Sequence, residues 1–134
     1  MRVICTGILM AVCAVGALAA TPAAQVYIIS PTDGEVVSSP LTVRFGLKGM
    51  GVAPAGVDRP DTGHHHLLVD LVELPVAGSP IPADDHHIHF GGGQTETTLE
   101  LAPGKHTEQL LMGNQNHSPH EPPVVSERIT ITVR

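Results

Sequence analysis

The stretch LTVRFGL, residues 41–47, alternates apolar side chains with polar or small ones along its whole length. The apolar positions that share one side are Leu41, Val43, Phe45 and Leu47. Successive side chains of a β-strand point to opposite faces, so this period of two predicts a strand with one buried face. The stretch ITITV, residues 129–133, repeats the pattern near the end of the sequence.

Strand-like runs of this kind recur between turn residues along the chain. Besides residues 41–47, they cover residues 25–30, 65–71, 86–90, 95–101, 105–112 and 124–133. Fourteen glycines and twelve prolines punctuate the sequence, and no window has the spacing of a sustained amphipathic helix. The sequence therefore predicts an all-β fold, an immunoglobulin-like β-sandwich of about seven strands.

The N-terminus has the features of a secretory signal peptide. A basic residue precedes an uncharged apolar run, and the stretch ALA at residues 17–19 has the small residues of a cleavage site. We expect residues 1–19 to be the signal peptide and residues 20–134 to form a single β-sandwich domain. That domain is predicted to be periplasmic or secreted, with no membrane span after cleavage.

Composition restricts the choice of partner. The formal net charge is −6 and the few Lys and Arg residues form no cluster, so nucleic acid is not predicted to bind. Cys5 and Cys13 both lie in the predicted signal peptide, which leaves the mature domain without thiolate ligands. By contrast, all nine histidines lie beyond residue 19. Because histidine changes its charge and ligand capacity near neutral pH, the functional prediction depends on these residues.

Two histidine-rich segments, GHHHLLVD at residues 63–70 and DDHHIHF at residues 84–90, coincide with predicted strands. Alternate side chains of a strand share a face, so each segment offers a His-x-His pair with Cβ atoms about 6–7 Å apart. Both pairs are predicted to face outward as surface clusters, and two histidines in the loop before the last strand are placed to close the site. The candidate metal ligands are therefore His64, His66, His87, His89, His117 and His120.

The three remaining histidines are expected to be structural. Alternation along the strands turns His65 and His86 toward the core. His106 follows a Pro-Gly turn, at the place where immunoglobulin-like sandwiches pin a corner through a side chain. We expect a ring nitrogen of His106 to bond to the backbone there.

Neutral imidazoles are good ligands for Zn²⁺ and Cu²⁺. The favoured interpretation is a periplasmic protein that binds Cu²⁺ or Zn²⁺ for buffering or delivery, with another envelope protein as a second partner. An alternative is an envelope interaction domain without metal, whose histidines are structural or respond to pH. A third is a metal-dependent enzyme. No nucleophile elbow, phosphate loop or His-Glu-x-x-His motif is present, so the sequence does not predict an enzyme.

The motifs GHHHLLVD, residues 63–70, and PADDHHIHFGGGQTE, residues 82–96, also carry a resemblance. With them, nearly the entire predicted mature chain resembles an uncharacterised family of small secreted bacterial domains, known as a domain of unknown function. The resemblance implies an exported β domain. It implies no activity, so the function has to be argued from the residues.

Overall fold

A computed structural model describes residues 23–134. The predicted signal peptide, residues 1–19, lies outside the described residues. Within residues 23–134, no helix is long and apolar enough to cross a membrane.

Short strands make up the ordered secondary structure, as the alternating sequence predicts. Their bounds are β1 Gln25–Ser30, β2 Val36–Val37, β3 Leu41–Lys48, β4 Gly51–Val52, β5 Thr62–Val69, β6 His87–His89, β7 Glu96–Leu99, β8 Gly104–Gly113 and β9 Ile129–Val133. Two of them, β2 and β4, are only two residues long and were not predicted. The other seven correspond to the seven predicted runs; β1 has the predicted bounds, and the ends of the others are shifted.

The strands form two sheets. One has three strands in the order β1-β3-β7, and the other has six, in the order β2-β9-β8-β5-β4 with β6 also paired to β5. Neighbours are antiparallel except in the short pairs β2–β9 and β4–β5. The predicted all-β sandwich is therefore confirmed.

The main core lies between the two sheets. From the first sheet, Val43 and Phe45 of β3 are buried, and from the second come Leu67 of β5, Leu110 of β8 and Ile131 of β9. In β3 and β9, buried positions alternate with more exposed ones. Strands β5 and β8 are buried more extensively. The face assignment of residues 41–47 is thus confirmed.

Strand β5 is buried on both faces, and this feature creates the site. A second apolar cluster of Leu68, Leu111 and Ile81 lies on the side of β5 and β8 that faces away from the main core. Ile81 belongs to the segment between β5 and β6, and its N–H donates to the carbonyl of His117, in the segment between β8 and β9. The two long connections therefore meet over the outer face of the sheet and cover it.

Candidate metal centre

Strand register brings three of the candidate ligands to one place. His66 of β5 lies opposite His89 of β6 on one side and Leu111 of β8 on the other, and His64 lies opposite Gly113. Directly opposed residues in antiparallel strands share a face. His64, His66 and His89 therefore point to the same outer face, as the alternation of the sequence predicts.

The three imidazoles are close enough to share an ion. One ligand atom from each of His64, His66 and His89 lies within 4.8 Å of the others, and the ring centroids are 4.8–5.0 Å apart. A tetrahedral metal with nitrogens at about 2.0–2.1 Å needs those nitrogens about 3.3 Å apart. Binding a tetrahedral ion would therefore require the ring nitrogens to move closer together.

His117 adds a fourth imidazole from the loop between β8 and β9. Its ring centroid lies 4.7 Å from that of His89 and 5.3 Å from that of His64. The backbone of His117 has a φ of 62°, a conformation that is uncommon for residues other than glycine. The side chain of Asn114 holds this turn, because its Oδ1 accepts the N–H groups of Asn116 and Ser118.

Glycines make the room that the imidazoles occupy. A β-carbon added at Gly113 would lie 2.5 Å from Cε1 of His66 and 3.4 Å from Nε2 of His64. One added at Gly91 would collide with the ring of His89, 2.8 Å from its Nε2. Since real β-carbons do not approach ring atoms so closely, only glycine at these two positions allows the present packing of the rings.

Burial sets the charge state of the cluster. It lowers the pKa of His64 from 6.5 to about 4, and the neighbouring His89 and His117 add to the effect. It lowers the pKa of His66 to about 3, with a further contribution from His64, and the pKa of His89 is lowered by burial and by His117. Desolvation disfavours the imidazolium form, so His64 and His66 are neutral near pH 7, which is the form that binds metals.

The buried ring nitrogens of the cluster lack hydrogen-bond partners. Across residues 23–134, nothing hydrogen-bonds to Nδ1 or Nε2 of His64 or to Nδ1 of His66. Both side chains are almost completely buried, and the predicted surface location of this pair is wrong. The prediction failed because the two long connections cover the outer face of β5, and a strand pattern does not reveal such a cover. His89 is the most accessible of the three.

The other two candidate ligands lie elsewhere. His87 shares the outer face, opposite Leu68, but its Nδ1 lies 2.8 Å from a carboxylate oxygen of Asp84. His120 lies behind Gly63, where its Nε2 is 2.7 Å from the position of an added β-carbon. The structure therefore joins four of the six candidates, His64, His66, His89 and His117, and separates His87 and His120 from them.

The histidines expected to be structural have distinct surroundings. His65 faces the main core and packs against Phe45 with ring centroids 5.1 Å apart. His106 lies 2.8 Å from the carbonyl of Ala102 through Nε2, which is the backbone bond expected at this corner. His86 is exposed, so its predicted inward direction is wrong, because β6 begins only at His87.

Two features of the centre were missed in the sequence. The run GGG at residues 91–93 was given no role in the site, whereas its first glycine leaves room for His89. Gly113, at the end of β8, is the second. A glycine within a strand can mark the close approach of another group, but the predicted strand ended at residue 112, so the sequence did not place Gly113 within one.

Fold and site together define a small β-sandwich with a buried histidine cluster on the outer face of its larger sheet. Residues 43–134 match the family described as Domain of unknown function (DUF4399). The chain belongs to that family, which confirms the resemblance. No curated protein and no solved structure matches the chain.

Proposed function

We propose that this protein binds Cu²⁺ or Zn²⁺ through His64, His66 and His89, with His117 as a fourth ligand. Its role would be to buffer or deliver the ion in the periplasm or outside the cell. The observation that supports binding is a group of three imidazoles whose ligand atoms lie within 4.8 Å of one another. Buried polar atoms are nearly always hydrogen-bonded, and a bound ion would give a partner to one ring nitrogen of His64 and to one of His66, whose buried nitrogens have none within residues 23–134.

The donor set favours this class of ion. Imidazole nitrogen is a good ligand for Zn²⁺ and Cu²⁺, whereas Mg²⁺ and Ca²⁺ prefer oxygen. The ligand group within residues 23–134 consists of histidines alone. Three or four nitrogens at one point suit a tetrahedral zinc ion or a copper ion of low coordination number.

Access to the site supports reversible binding. His64 and His66 both belong to the eight-residue strand β5. In the middle of the sheet, β5 pairs with the ten-residue strand β8. His89 comes from a three-residue edge strand and His117 from a loop. Two ligands thus belong to the sheet interior, and the other two come from its edge and from a loop, the side from which an ion would enter and leave.

Calorimetric titration of the purified, metal-stripped protein with Zn²⁺ and Cu²⁺ tests the proposal. We expect one tight equivalent, lost or strongly weakened in His89→Ala. His87→Ala is the matched control, because His87 lies on the same strand and face but pairs with Asp84. Equal affinity of the wild type and His89→Ala would refute the site.

The absence of binding in the wild type would refute metal binding itself and favour the interaction domain without metal. In that case the histidine cluster would serve only to pack the outer face of the sheet, and His64→Leu would not change the affinity for an envelope partner. Circular dichroism of each variant establishes that it is folded before affinities are compared.

A further inference from the structure

A cleft outside the histidine cluster is bordered by side chains of the types that bind metals. Its volume is about 610 Å³, and it is bordered by Ala24, Met50, Asp61, His120 and Glu121, among others. None of these belongs to the four-histidine cluster. Their arrangement carries an inference that does not depend on the proposed function.

The side chains of Met50 and His120 both approach Gly63. The position of a β-carbon added to Gly63 lies 2.7 Å from Nε2 of His120 and 3.4 Å from the terminal methyl group of Met50. The imidazole nitrogen and the methyl end of the thioether are therefore near a common point. Methionine has three rotatable side-chain bonds, so its sulfur can turn toward that point without a backbone movement.

Nε2 of His120 is buried, and nothing in residues 23–134 hydrogen-bonds to it. The carbonyl of Gly113 lies near the same point. Burial lowers the pKa of His120, and this carbonyl partly opposes the effect. A buried nitrogen without a partner is unusual in proteins, and here the terminal methyl group of the Met50 thioether lies near the same point.

The thioether of Met50 is a softer donor than the imidazoles of the histidine cluster. A thioether is a soft ligand that selects Cu(I), and imidazole binds copper in both oxidation states. The carboxylates of Asp61 and Glu121 border the same cleft and raise the local concentration of cations there. The cleft thus combines an attraction for cations with a donor pair suited to a soft one.

We propose that Met50 and His120 form a second metal site, selective for Cu(I), at the border of this cleft. The site adjoins the histidine cluster, since Gly63 directly precedes His64. An ion held by Met50 and His120 would be separated from the cluster by the backbone of β5 at Gly63. The protein would then offer a soft site and an all-imidazole site side by side.

Anaerobic titration of the wild-type protein with Cu(I), in competition with a coloured Cu(I) chelator, tests this inference. We expect a tight Cu(I) equivalent whose X-ray absorption spectrum contains a sulfur scatterer. Met50→Leu keeps the apolar packing and removes the sulfur, so the equivalent that carries the sulfur signal should be lost. Met112→Leu is the matched control, because Met112 is fully buried in the main core and should bind Cu(I) as the wild type does.

His120→Ala provides an independent variant and should also lose the Cu(I) equivalent. Wild-type Cu(I) binding without a sulfur signal, or with full retention in Met50→Leu, would overturn the inference. Zn²⁺ titrations of the same variants keep the two proposals apart. Met50→Leu should bind Zn²⁺ unchanged, and failure of Zn²⁺ binding in every protein would refute the histidine centre while leaving the Cu(I) result to decide the second site.

Discussion

Gly91 and Gly92 are adjacent residues that differ in the space available for a side chain. A methyl group at Gly91 would enter the space of the His89 ring, whereas one at Gly92 would meet only the exposed amide of Gln94, at 3.1 Å or more. We expect Gly91→Ala to displace His89 and to weaken Zn²⁺ or Cu²⁺ binding by about tenfold or more, the range found when groups that position metal ligands are altered.

Gly92→Ala is the control for the change at Gly91 and should bind metal as the wild type does. Calorimetric titration of the two variants side by side makes the comparison. If both variants bind equally well, the ring of His89 has no fixed position that matters for the metal.

His65 illustrates a histidine whose role is packing. It is completely buried between the sheets and contacts the ring of Phe45. We expect His65→Ala to lower the free energy of unfolding by about 2 kcal/mol or more, as large-to-small core substitutions do. Urea denaturation measures the change, and metal stoichiometry should stay the same. A loss below about 0.5 kcal/mol, typical of surface substitutions, would argue against a core role.

Among the larger elements, the turn between β8 and β9 decides whether His117 reaches the cluster. Asn114 holds this turn through two backbone N–H groups, and His117 lies within it at a positive φ. We expect Asn114→Ala to release His117 and to reduce metal affinity toward the level of His117→Ala, by about tenfold.

Asn116→Ala is the control for the turn, because the Asn116 side chain is exposed and only its backbone N–H takes part in the turn. The affinities of Asn114→Ala, Asn116→Ala and the wild type are measured by the same titration. An Asn114→Ala affinity equal to that of the control would show that the turn does not position His117.

The strands also show which features of the site an alternating sequence pattern can predict. Alternation placed His64 and His66 on one face of β5 and His65 on the other, because the period of two is local to the strand. It could not show that the outer face is covered, since that depends on the paths of residues 70–86 and 114–128 over the sheet. The alternation also failed at His86, where β6 had not yet begun.

The separation of His87 and His120 from the cluster has a similar origin. His87 has the spacing of a ligand, but a local hydrogen bond to Asp84 holds its ring. The position of His120 depends on the course of the loop after Gly113, which no periodicity describes. The site was therefore predictable as a pair of histidine strands, and its final membership was not.

For the molecule as a whole, Glu108 links stability to pH. Its side chain is completely buried, and across residues 23–134 neither carboxylate oxygen has a hydrogen-bond partner. Burial raises its pKa from 4.5 to about 7, with a smaller opposing effect of His106. The folded protein thus holds this proton where the unfolded chain has released it, so the Glu108 contribution to stability falls as pH rises from about 4.5 to about 7.

Glu108→Gln removes this titration. We expect the free energy of unfolding of Glu108→Gln, relative to the wild type, to increase over that pH range by about 3 kcal/mol. The difference between the two proteins cancels the opposite contribution of the buried histidines, which lose protons on folding. Urea denaturation from pH 5 to pH 8 measures it, and a difference that does not change with pH would contradict a buried, protonated Glu108.

The most direct test of the metal centre is a crystal structure of the metal-loaded protein, with anomalous diffraction collected at the zinc or copper edge. We predict one strong anomalous peak on the outer face of β5, about 2.0–2.1 Å from ring nitrogens of His64, His66 and His89. A crystal grown from metal-loaded protein with no peak among these three rings, or with the ion on His87 and Asp84 instead, would contradict the central claim.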